Sequence, residues 1–520
     1  MKKINIFLLV LSTLAFSSCD SYLDKLPDDR AEVNTFEKAK QLLSTAYSDN
    51  APNLLLDLSS DNVTDLGRQY TYQIVQDEAY RWKEIDVTTN DSPRRLWSGF
   101  YVAVGTANQV LADLSKVTDR DVAPLRAEAL LCRAWALFRL SNIFCMAYDA
   151  TKADKYLGLP YPKTAGVSVN NRGTLEELYA YINADIEEAL PKISDDHYDV
   201  PKYHFNTRAA YAFAARFNLY YNKPDKAIEY ATKALGSNPA SMMRSVSTYK
   251  KLAGVVDIGN AYINSGENAN FMLQTAISHH GYAARYSSWR RYIHARSIAI
   301  GETFWARMPW GSGSTNNVLY ESRLLYGGSG YNYYPKMMEQ RQYTNATKTS
   351  VYYRIVDAVF TAEETLLVRA EAYARSGKYE ESLADMNTWI AAHTAGKAGT
   401  AVRPVMTTEL VNSFFNSLTE VPAKIESESQ MGIKKPIHPQ GFTIEQGTQT
   451  NFIYMILQLR RIETYMQGLR FQDIKRYGIE ITHLLDGEDN IYFKAGDLRG
   501  ALQLPAEVIE AGLEANPREK

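Results

Sequence analysis

Large apolar residues recur at intervals of three and four along much of the chain, which is the spacing of amphipathic α-helices. The clearest stretch runs from Leu125 to Met146 and keeps this period throughout. The same period marks residues 35–48, 97–114 and 175–190. Pro191 ends the last of these stretches, because proline cannot continue a helix. The pattern predicts a mostly α-helical protein.

Two predicted helix pairs, at about 206–239 and 363–390, have the spacing of tetratricopeptide repeats. Such repeats need small residues where their two helices cross closely. In the first pair, small residues and a closing proline stand at Ala215, Ala227, Ala234 and Pro239. In the second, the matching residues are Ala370, Tyr373, Gly377 and Tyr379, while Ser382 and Trp389 replace the usual alanines. The spacing predicts a tetratricopeptide-like scaffold of helix pairs.

The helical period fades between residues 241 and 353 and again between 395 and 450. Glycine, serine, asparagine, tyrosine and tryptophan concentrate in the first stretch. Long ordered loops on a rigid scaffold commonly carry binding sites. We therefore expect long, irregular, loop-rich insertions between the helices, with the binding region in 241–353.

The N-terminus has the order of a targeting segment. Lys2 and Lys3 precede the apolar run Ile4–Phe16, and the small residues before Cys19 resemble a bacterial lipobox, although Phe16 stands where leucine is usual. This order predicts a signal peptide over 1–18, lipidation of Cys19, a polar tether over 19–34 and one domain over 35–520. The alternative is an ordinary secretory peptide cleaved nearby. No later apolar run approaches the ~20 residues that cross a bilayer, so we expect membrane anchoring by lipid.

Charge and cysteine content narrow the class of protein. The net charge is -2 over 520 residues, which provides no basic field for nucleic acid. Cys132 and Cys145 fall in one predicted helix, ~20 Å apart at the α-helical rise, and are expected to be buried thiols without a disulfide. The 36 tyrosines suit either helix packing or a sugar-binding surface.

Several short motifs together resemble the SusD/RagB family of outer-membrane lipoproteins. They are Tyr22-Leu23-Asp24 with Pro27, Ser60-Asp61-Asn62, Trp97 with Tyr101 and Asn108, Glu128 with Arg133 and Ala134, Asp185 with Leu190, and the run Arg460, Glu463, Gly468, Arg470, Asp473 and Arg476. Gln467 departs from the glutamate typical of that run, and the closing motif is reduced to Leu504-Pro505-Ala506-Glu507. Independently of the family, spacings of three in the C-terminal run predict a helical ion-pair ladder of Arg460–Glu463, Arg470–Asp473 and Asp473–Arg476.

The resemblance implies a surface-exposed, lipid-anchored outer-membrane protein that captures nutrient for a TonB-dependent transporter of the SusC/RagA type. A glycan is the expected ligand, and an oligopeptide is the alternative. Aromatic rings stack on the apolar faces of sugars, and the predicted platform is Trp82, Trp289, Trp305, Trp310, Tyr331 and Tyr333. Arg68, Asp61 and Asn62 are the predicted polar contacts.

Signatures of catalysis are missing from the sequence. It contains no HExxH, GxSxG, Walker or dinucleotide-binding motif, so we expect a binding protein without cofactor or catalytic residues. His279-His280 lacks a third metal ligand, and the acidic turn Asp486–Asn490 is expected to be solvated, so no metal site is predicted. The rival classes are a surface glycosidase or peptidase and a purely structural repeat scaffold.

Overall fold

A computed structural model describes residues 33–166 and 171–518. The predicted signal peptide, Cys19 and nearly all of the tether lie outside these residues. The helices are α1 Phe36–Leu43, α2 Asn53–Leu58, α3 Ile74–Tyr80, α4 Pro93–Asp113, α5 Ala123–Phe144, α6 Leu175–Ala189, α7 Thr207–Tyr220, α8 Pro224–Leu235, α9 Val255–Tyr262, α10 His280–Ala283, α11 Arg296–Gly301, α12 Ala362–Arg375, α13 Tyr379–His393, α14 Thr408–Asn416, α15 Thr448–Glu463, α16 Leu469–Tyr477 and α17 Ala506–Glu510.

The strands are shorter and pair mostly as small hairpins. They are β1 Thr64–Asp65, β2 Asn270–Ile277, β3 Tyr292–Ile293, β4 Gly311–Ser312, β5 Asn316–Asn317, β6 Tyr326–Gly328, β7 Tyr331–Tyr333, β8 Gln340–Tyr343, β9 Val351–Thr361, β10 Lys397–Ala398, β11 Ala401–Val402, β12 Ile481–His483 and β13 Ile491–Phe493. The largest sheet has the order β2-β9-β8, with both pairings antiparallel. The predicted mostly α-helical class is confirmed.

The centre of the molecule is helix α5, which is buried on every side from Ala127 to Phe144. Helices α4 and α6 pack against it, and Arg133 of α5 joins all three. Its guanidinium bonds both carboxylate oxygens of Asp185 on α6, at 2.8 and 2.7 Å, and the Asn108 amide oxygen on α4, at 2.8 Å. Three of the family-like residues therefore meet in one buried contact.

The two predicted helix pairs are present as α7–α8 and α12–α13. Ala215 and Ala227 are fully buried where α7 and α8 pack closely, as the repeat spacing requires. In the second pair, Ser382 occupies an alanine position but is also fully buried, because its hydroxyl donates to the Ala370 carbonyl at 2.9 Å. That hydrogen bond explains how a polar residue is accommodated at a tight crossing.

The C-terminal charged run forms a buried network between elements, and the predicted ladder is mostly wrong. Asp473–Arg476 is an i,i+3 pair at 2.7 Å, as expected. Arg460, however, pairs with Asp473 at 3.0 Å, and Arg470 pairs with Asp61 at 2.8 Å. The reason is tertiary: the turn at Gly468, which has a φ of 70°, brings Asp473 of α16 to Arg460 of α15, and Asp61 from the N-terminal part of the chain packs against Arg470.

The C-terminus of α5 is capped by side chains from distant parts of the sequence. Lys475 donates to the carbonyls of Asn142 and Cys145 at 2.8 and 3.0 Å. Asn516 donates to the Phe144 carbonyl at 2.9 Å. The last carbonyls of a helix have no partner within it, so these donors supply the missing hydrogen bonds. Cys132 and Cys145 are free and buried, as predicted.

Candidate functional site

The six aromatic residues predicted as a sugar platform do not form one exposed surface. Four of them, Trp82, Trp289, Trp310 and Tyr333, are buried. Trp310 is only 1% exposed and lies beside Trp389 in the core. The indole of Trp82 stacks on His483 with ring centres 4.1 Å apart and donates to the Ser59 carbonyl. Rings covered in this way have no free face for a sugar, so Trp82 and Trp310 are better explained as core residues.

Trp305 and Tyr331 are the two platform candidates that keep partial exposure. The Trp305 indole donates to the Ser322 carbonyl at 2.7 Å and lies under the Arg296 guanidinium. Tyr331 accepts a hydrogen bond from Arg290 at 3.1 Å, and the same guanidinium covers its ring. Neither residue has a ring contact with the other.

The predicted polar contacts also have protein partners. Asp61 is 7% exposed and accepts from Arg470 and Lys435, at 2.8 and 2.6 Å. Asn62 is 1% exposed and accepts from Arg461 at 2.9 Å. Asp61 and Asn62 are therefore corrected from ligand contacts to parts of a buried charge network.

Arg68 is exposed but is held by the predicted acidic turn. Its guanidinium donates to the Gly487 carbonyl at 3.0 Å and to Glu488 at 3.2 Å. Arg81 also bonds Glu488, at 2.7 Å, so the acidic turn is bound by two arginines. Among residues 33–166 and 171–518, no group of three or more histidine, cysteine or acidic side chains is arranged to hold a metal ion.

Five rings do line up at the exposed end of the main sheet, and we call them the aromatic ribbon: Trp289, His279, Tyr353, Tyr282 and Tyr286. Successive ring centres are 5.0, 5.4, 4.5 and 4.1 Å apart. All except Trp289 are partly exposed. The first two rings and the last two rings are nearly parallel, at 10° and 16°, and Tyr353 joins the pairs at a tilt. The ribbon provides a row of apolar ring surfaces with polar edges.

Local structure fixes the orientation of the ribbon rings. Tyr282 and Tyr286 stack because they are four residues apart in a helical turn that begins in α10. Asp91, which is 1% exposed, accepts from the His279 backbone amide at 2.9 Å and contacts its Nδ1 at 3.2 Å. The buried carboxylate thus anchors the histidine ring that stacks on Trp289.

Glu339 organises the Tyr286 end of the ribbon. Its carboxylate accepts two hydrogen bonds from Arg285, both at 2.9 Å, and one from the Tyr286 hydroxyl at 2.7 Å. Burial and this bond to Glu339 raise the pKa of Tyr286, so the phenol stays protonated. Arg341 donates to the same hydroxyl at 2.8 Å from the exposed strand β8.

A cleft of about 500 Å³ lies on the face of β9 opposite to the ribbon. Tyr352 lines the cleft and Tyr353 belongs to the ribbon, since consecutive residues of a strand point to opposite faces. The other walls come from the segment after α1, the residues just before α4 and its first turns, and the end of β2. They include Asp49, Asn50, Asn90, Arg95, Ser98, Gly99 and Ile277.

Gly99 determines the shape of the cleft. It lies inside α4, where a glycine weakens the helix, but it faces Asn50 directly. A Cβ at position 99 would fall 2.9 Å from the Asn50 Cγ and closer still to its amide oxygen. The absence of a side chain at Gly99 therefore leaves room for the Asn50 amide in the cleft wall.

Sequence reasoning missed the ribbon because its members are separated along the chain. Residues 279–289 and 353 meet only through the pairing of β2 with β9. The spacing of four between Tyr282 and Tyr286 was the one local signal that pointed to a ring pair. The burial of Trp82 and Trp310 depends on tertiary contacts that no local pattern records.

One family model matches the N-terminal part of the chain. Residues 21–219 match the family model SusD-like_3, described as starch-binding associating with outer membrane. A search of curated proteins gives no match. Within the described residues, no helix has both the length and the apolar character to cross a membrane.

Solved structures of similar fold cover nearly the whole chain. A SusD superfamily protein from Bacteroides vulgatus has a TM-score of 0.64 at 16% identity, covering 93% of this chain and 98% of its own. A SusD-like carbohydrate binding protein from Bacteroides vulgatus has a TM-score of 0.59 at 13% identity, covering 89% of each chain. A laminarin binding SusD-like protein has a TM-score of 0.54 at 18% identity, covering 93% of this chain and 99% of its own. The N-terminal part of this chain therefore matches a SusD-like family model, and the chain as a whole shares the fold of SusD superfamily proteins.

Proposed function

We propose that this protein is a cell-surface lipoprotein that binds a glycan on the aromatic ribbon and delivers it to a TonB-dependent transporter of the SusC/RagA type. Cys19 carries the lipid that anchors it to the outer membrane, and residues 19–34 form the tether. Residues 35–520 act as one binding domain. The ligand is bound and passed on without being cleaved.

The observation that carries the proposal is the row of partly exposed rings in the aromatic ribbon. Sugar rings present C–H faces that pack on aromatic rings, while their hydroxyls need hydrogen-bond partners. The ribbon supplies ring faces through Tyr282 and Tyr353 and polar groups through the Tyr286 hydroxyl and Arg341. The starch-binding description of the matching family model and the laminarin-binding protein of similar fold agree with a glycan ligand.

The cleft provides a second contact area for the same ligand. Asn50 and Asn90 place amide groups in its walls, and Tyr352 is 45% exposed at its rim. Because Tyr352 and Tyr353 are neighbours at the start of β9, a chain-like ligand that passes round this end of the sheet reaches both surfaces. This arrangement favours an oligosaccharide over a single sugar.

The test is isothermal titration of the lipid-free protein with laminarin and starch oligosaccharides, and with a mixture of oligopeptides. We expect glycan binding that Tyr282→Ala and Tyr353→Ala weaken about tenfold or more, because each change removes a ring face. Tyr203→Ala is the matched control, since Tyr203 is 39% exposed and lies outside the ribbon. Mass spectrometry of the ligand afterwards should find it intact.

Other outcomes of this titration have definite meanings. Binding of oligopeptides alone would replace the glycan ligand with a peptide. Cleaved sugar at catalytic rates would make the protein a glycosidase. Equal binding by the ribbon variants and the Tyr203 control would remove the ribbon from the site.

The anchor and the transporter are tested in native membranes. Cys19→Ala should release the protein into the soluble fraction when the transporter gene is deleted, whereas the unchanged protein stays with the outer membrane. Retention of the Cys19→Ala protein under those conditions would contradict lipid anchoring. Purification of the unchanged protein from detergent-solubilised outer membrane should recover a TonB-dependent transporter, and its absence would contradict the proposed partner.

A further inference from the structure

The aromatic ribbon is bordered by arginines that outnumber its carboxylates. Arg285, Arg290 and Arg341 all lie next to ribbon tyrosines or tryptophan, and each guanidinium contacts a tyrosine ring or hydroxyl. The carboxylates that face the ribbon are Glu339 and Asp91. The ribbon therefore carries an excess of positive charge, although the whole chain has a net charge of -2.

The carboxylates lie beneath the ribbon, while the Arg341 side chain is exposed at its surface. The Glu339 side chain is 5% exposed and already accepts hydrogen bonds from Arg285 and Tyr286. Asp91 is 1% exposed and already accepts hydrogen bonds from the Ser278 hydroxyl and the His279 backbone amide. A ligand arriving at the ribbon therefore meets little of either negative charge.

Arg341 is the most accessible of the three cations. Its side chain is 42% exposed, and its nearest carboxylate, Glu339, is 4.0 Å away, at the limit of an ion pair. In the register of β8 and β9 it lies directly opposite Tyr353, so the guanidinium and that ribbon ring share one face. The guanidinium carbon is 5.7 Å from the centre of the Tyr286 ring and 5.9 Å from that of Tyr353.

Arg290 supplies a second cation at the other end of the ribbon. It follows Trp289 in sequence and stacks on Tyr331, with its guanidinium carbon 4.3 Å from the ring centre. Its side chain is half-buried, and its Nη2 donates to the Tyr331 hydroxyl at 3.1 Å.

From this arrangement we infer that the ribbon selects an anionic glycan, one that bears carboxylate or sulfate groups along its chain. The inference rests on the proposed function, because it specifies the ligand of that site. Sugar rings pack on the tyrosine faces, and the acidic substituents accept charge-assisted hydrogen bonds from Arg341 and Arg290. The cleft does not share this excess of positive charge, because Arg95 and Asp49 both line it and their charges balance.

The experiment compares three polymers by affinity electrophoresis and titration: polygalacturonate, dextran sulfate and uncharged laminarin. At low ionic strength we expect at least one acidic polymer to bind about tenfold or more tightly than laminarin, with the advantage shrinking as salt screens the charges. Preference for polygalacturonate identifies carboxylates as the recognised groups, and preference for dextran sulfate identifies sulfates.

Variants separate the ribbon from general charge attraction. Arg341→Gln and Arg290→Gln should each remove most of the preference for the acidic polymer. Arg307→Gln removes the same charge from an exposed arginine outside the ribbon and should keep that preference. Equal or tighter binding of laminarin, or equal effects of all three variants, would overturn the anionic ligand while leaving a glycan-binding ribbon intact. Failure of every polymer to bind would overturn the proposed function as well.

Discussion

Replacing Asp61 with asparagine is expected to destabilise the protein strongly and to leave glycan binding by the folded protein unchanged. Asp61 accepts a bidentate pair of bonds from Arg470, both at 2.8 Å, and one from Lys435 at 2.6 Å. Arg461 is 3.3 Å from the same carboxylate and also donates to the Asp61 carbonyl. Glu302 is the second carboxylate of the cluster, at 2.7 Å from Arg461 and 2.9 Å from Lys435.

The size of the loss in unfolding free energy follows from the charges that remain in the cluster. Asp61→Asn leaves one carboxylate to balance three buried cations, all with side chains less than 10% exposed. Breaking a buried ion pair by removing one partner costs about 3–5 kcal/mol, because the remaining charge stays desolvated. Asp199→Asn is the control, since its carboxylate is 92% exposed beside Lys40 and should change the stability little.

The assay is urea denaturation followed by tryptophan fluorescence, with glycan titration of each folded variant. Burial alone would raise the pKa of Asp61, but the charges of Arg461, Arg470 and Lys435 overcome it and hold the pKa well below its ordinary value. A carboxyl with a depressed folded pKa stabilises the protein above its unfolded pKa of about 3.9, and the stabilisation disappears as the pH falls through the folded value. The difference in unfolding free energy between wild type and Asp61→Asn should therefore be largest at neutral pH and become smaller in strong acid. A stable Asp61→Asn protein that no longer binds glycan would refute this reasoning and restore Asp61 as a ligand contact.

Four further substitutions test other parts of the structure. Gly99→Ala should displace the Asn50 amide and weaken ligand binding at the cleft by titration, whereas Gly105→Ala in the same helix meets no neighbour and should stabilise the protein by about 0.5–1 kcal/mol in a urea melt. Trp310→Ala should cost about 3–5 kcal/mol of unfolding free energy, and a loss below 1 kcal/mol would contradict its core position. Ala215→Leu should overpack the α7–α8 crossing and cost about 1–3 kcal/mol, which a urea midpoint equal to wild type would contradict.

The helices could be predicted from the sequence because their signals are local. The stretch predicted as 175–190 forms α6 over Leu175–Ala189, where Thr174 and Glu177 make a reciprocal capping box at its start. The first helix of the pair predicted at about 206–239 forms α7 over Thr207–Tyr220, with the Asn206 side chain as its cap. The hydrophobic period, the capping residues and the helix-breaking residue all lie within a short stretch of the chain. A single sequence is therefore enough to predict where these helices begin and end.

The site could not be predicted in the same way, because ring exposure depends on partners far along the chain. Trp82 is buried by His483, about four hundred residues later, and nothing near Trp82 in sequence indicates this. The ion-pair ladder failed for a related reason. Its spacing of three predicts pairs within one helix, whereas Arg460 bonds Asp473 across the turn at Gly468 and Arg470 bonds Asp61.

The closure of helix α5 by Lys475 and Asn516 has a consequence for the order of folding. The helix is the centre of the core, yet the carbonyls at its end acquire these partners only after residues some 330 and 370 positions later have been synthesised. Until the C-terminal segment docks, those carbonyls lack these partners, and the end of α5 is less firmly held. Completion of the last turn and docking of the C-terminal segment therefore belong to one late cooperative step. Amides at the end of α5 and in the segment around Leu502, whose amide donates to the Ile143 carbonyl, gain protection from hydrogen exchange together.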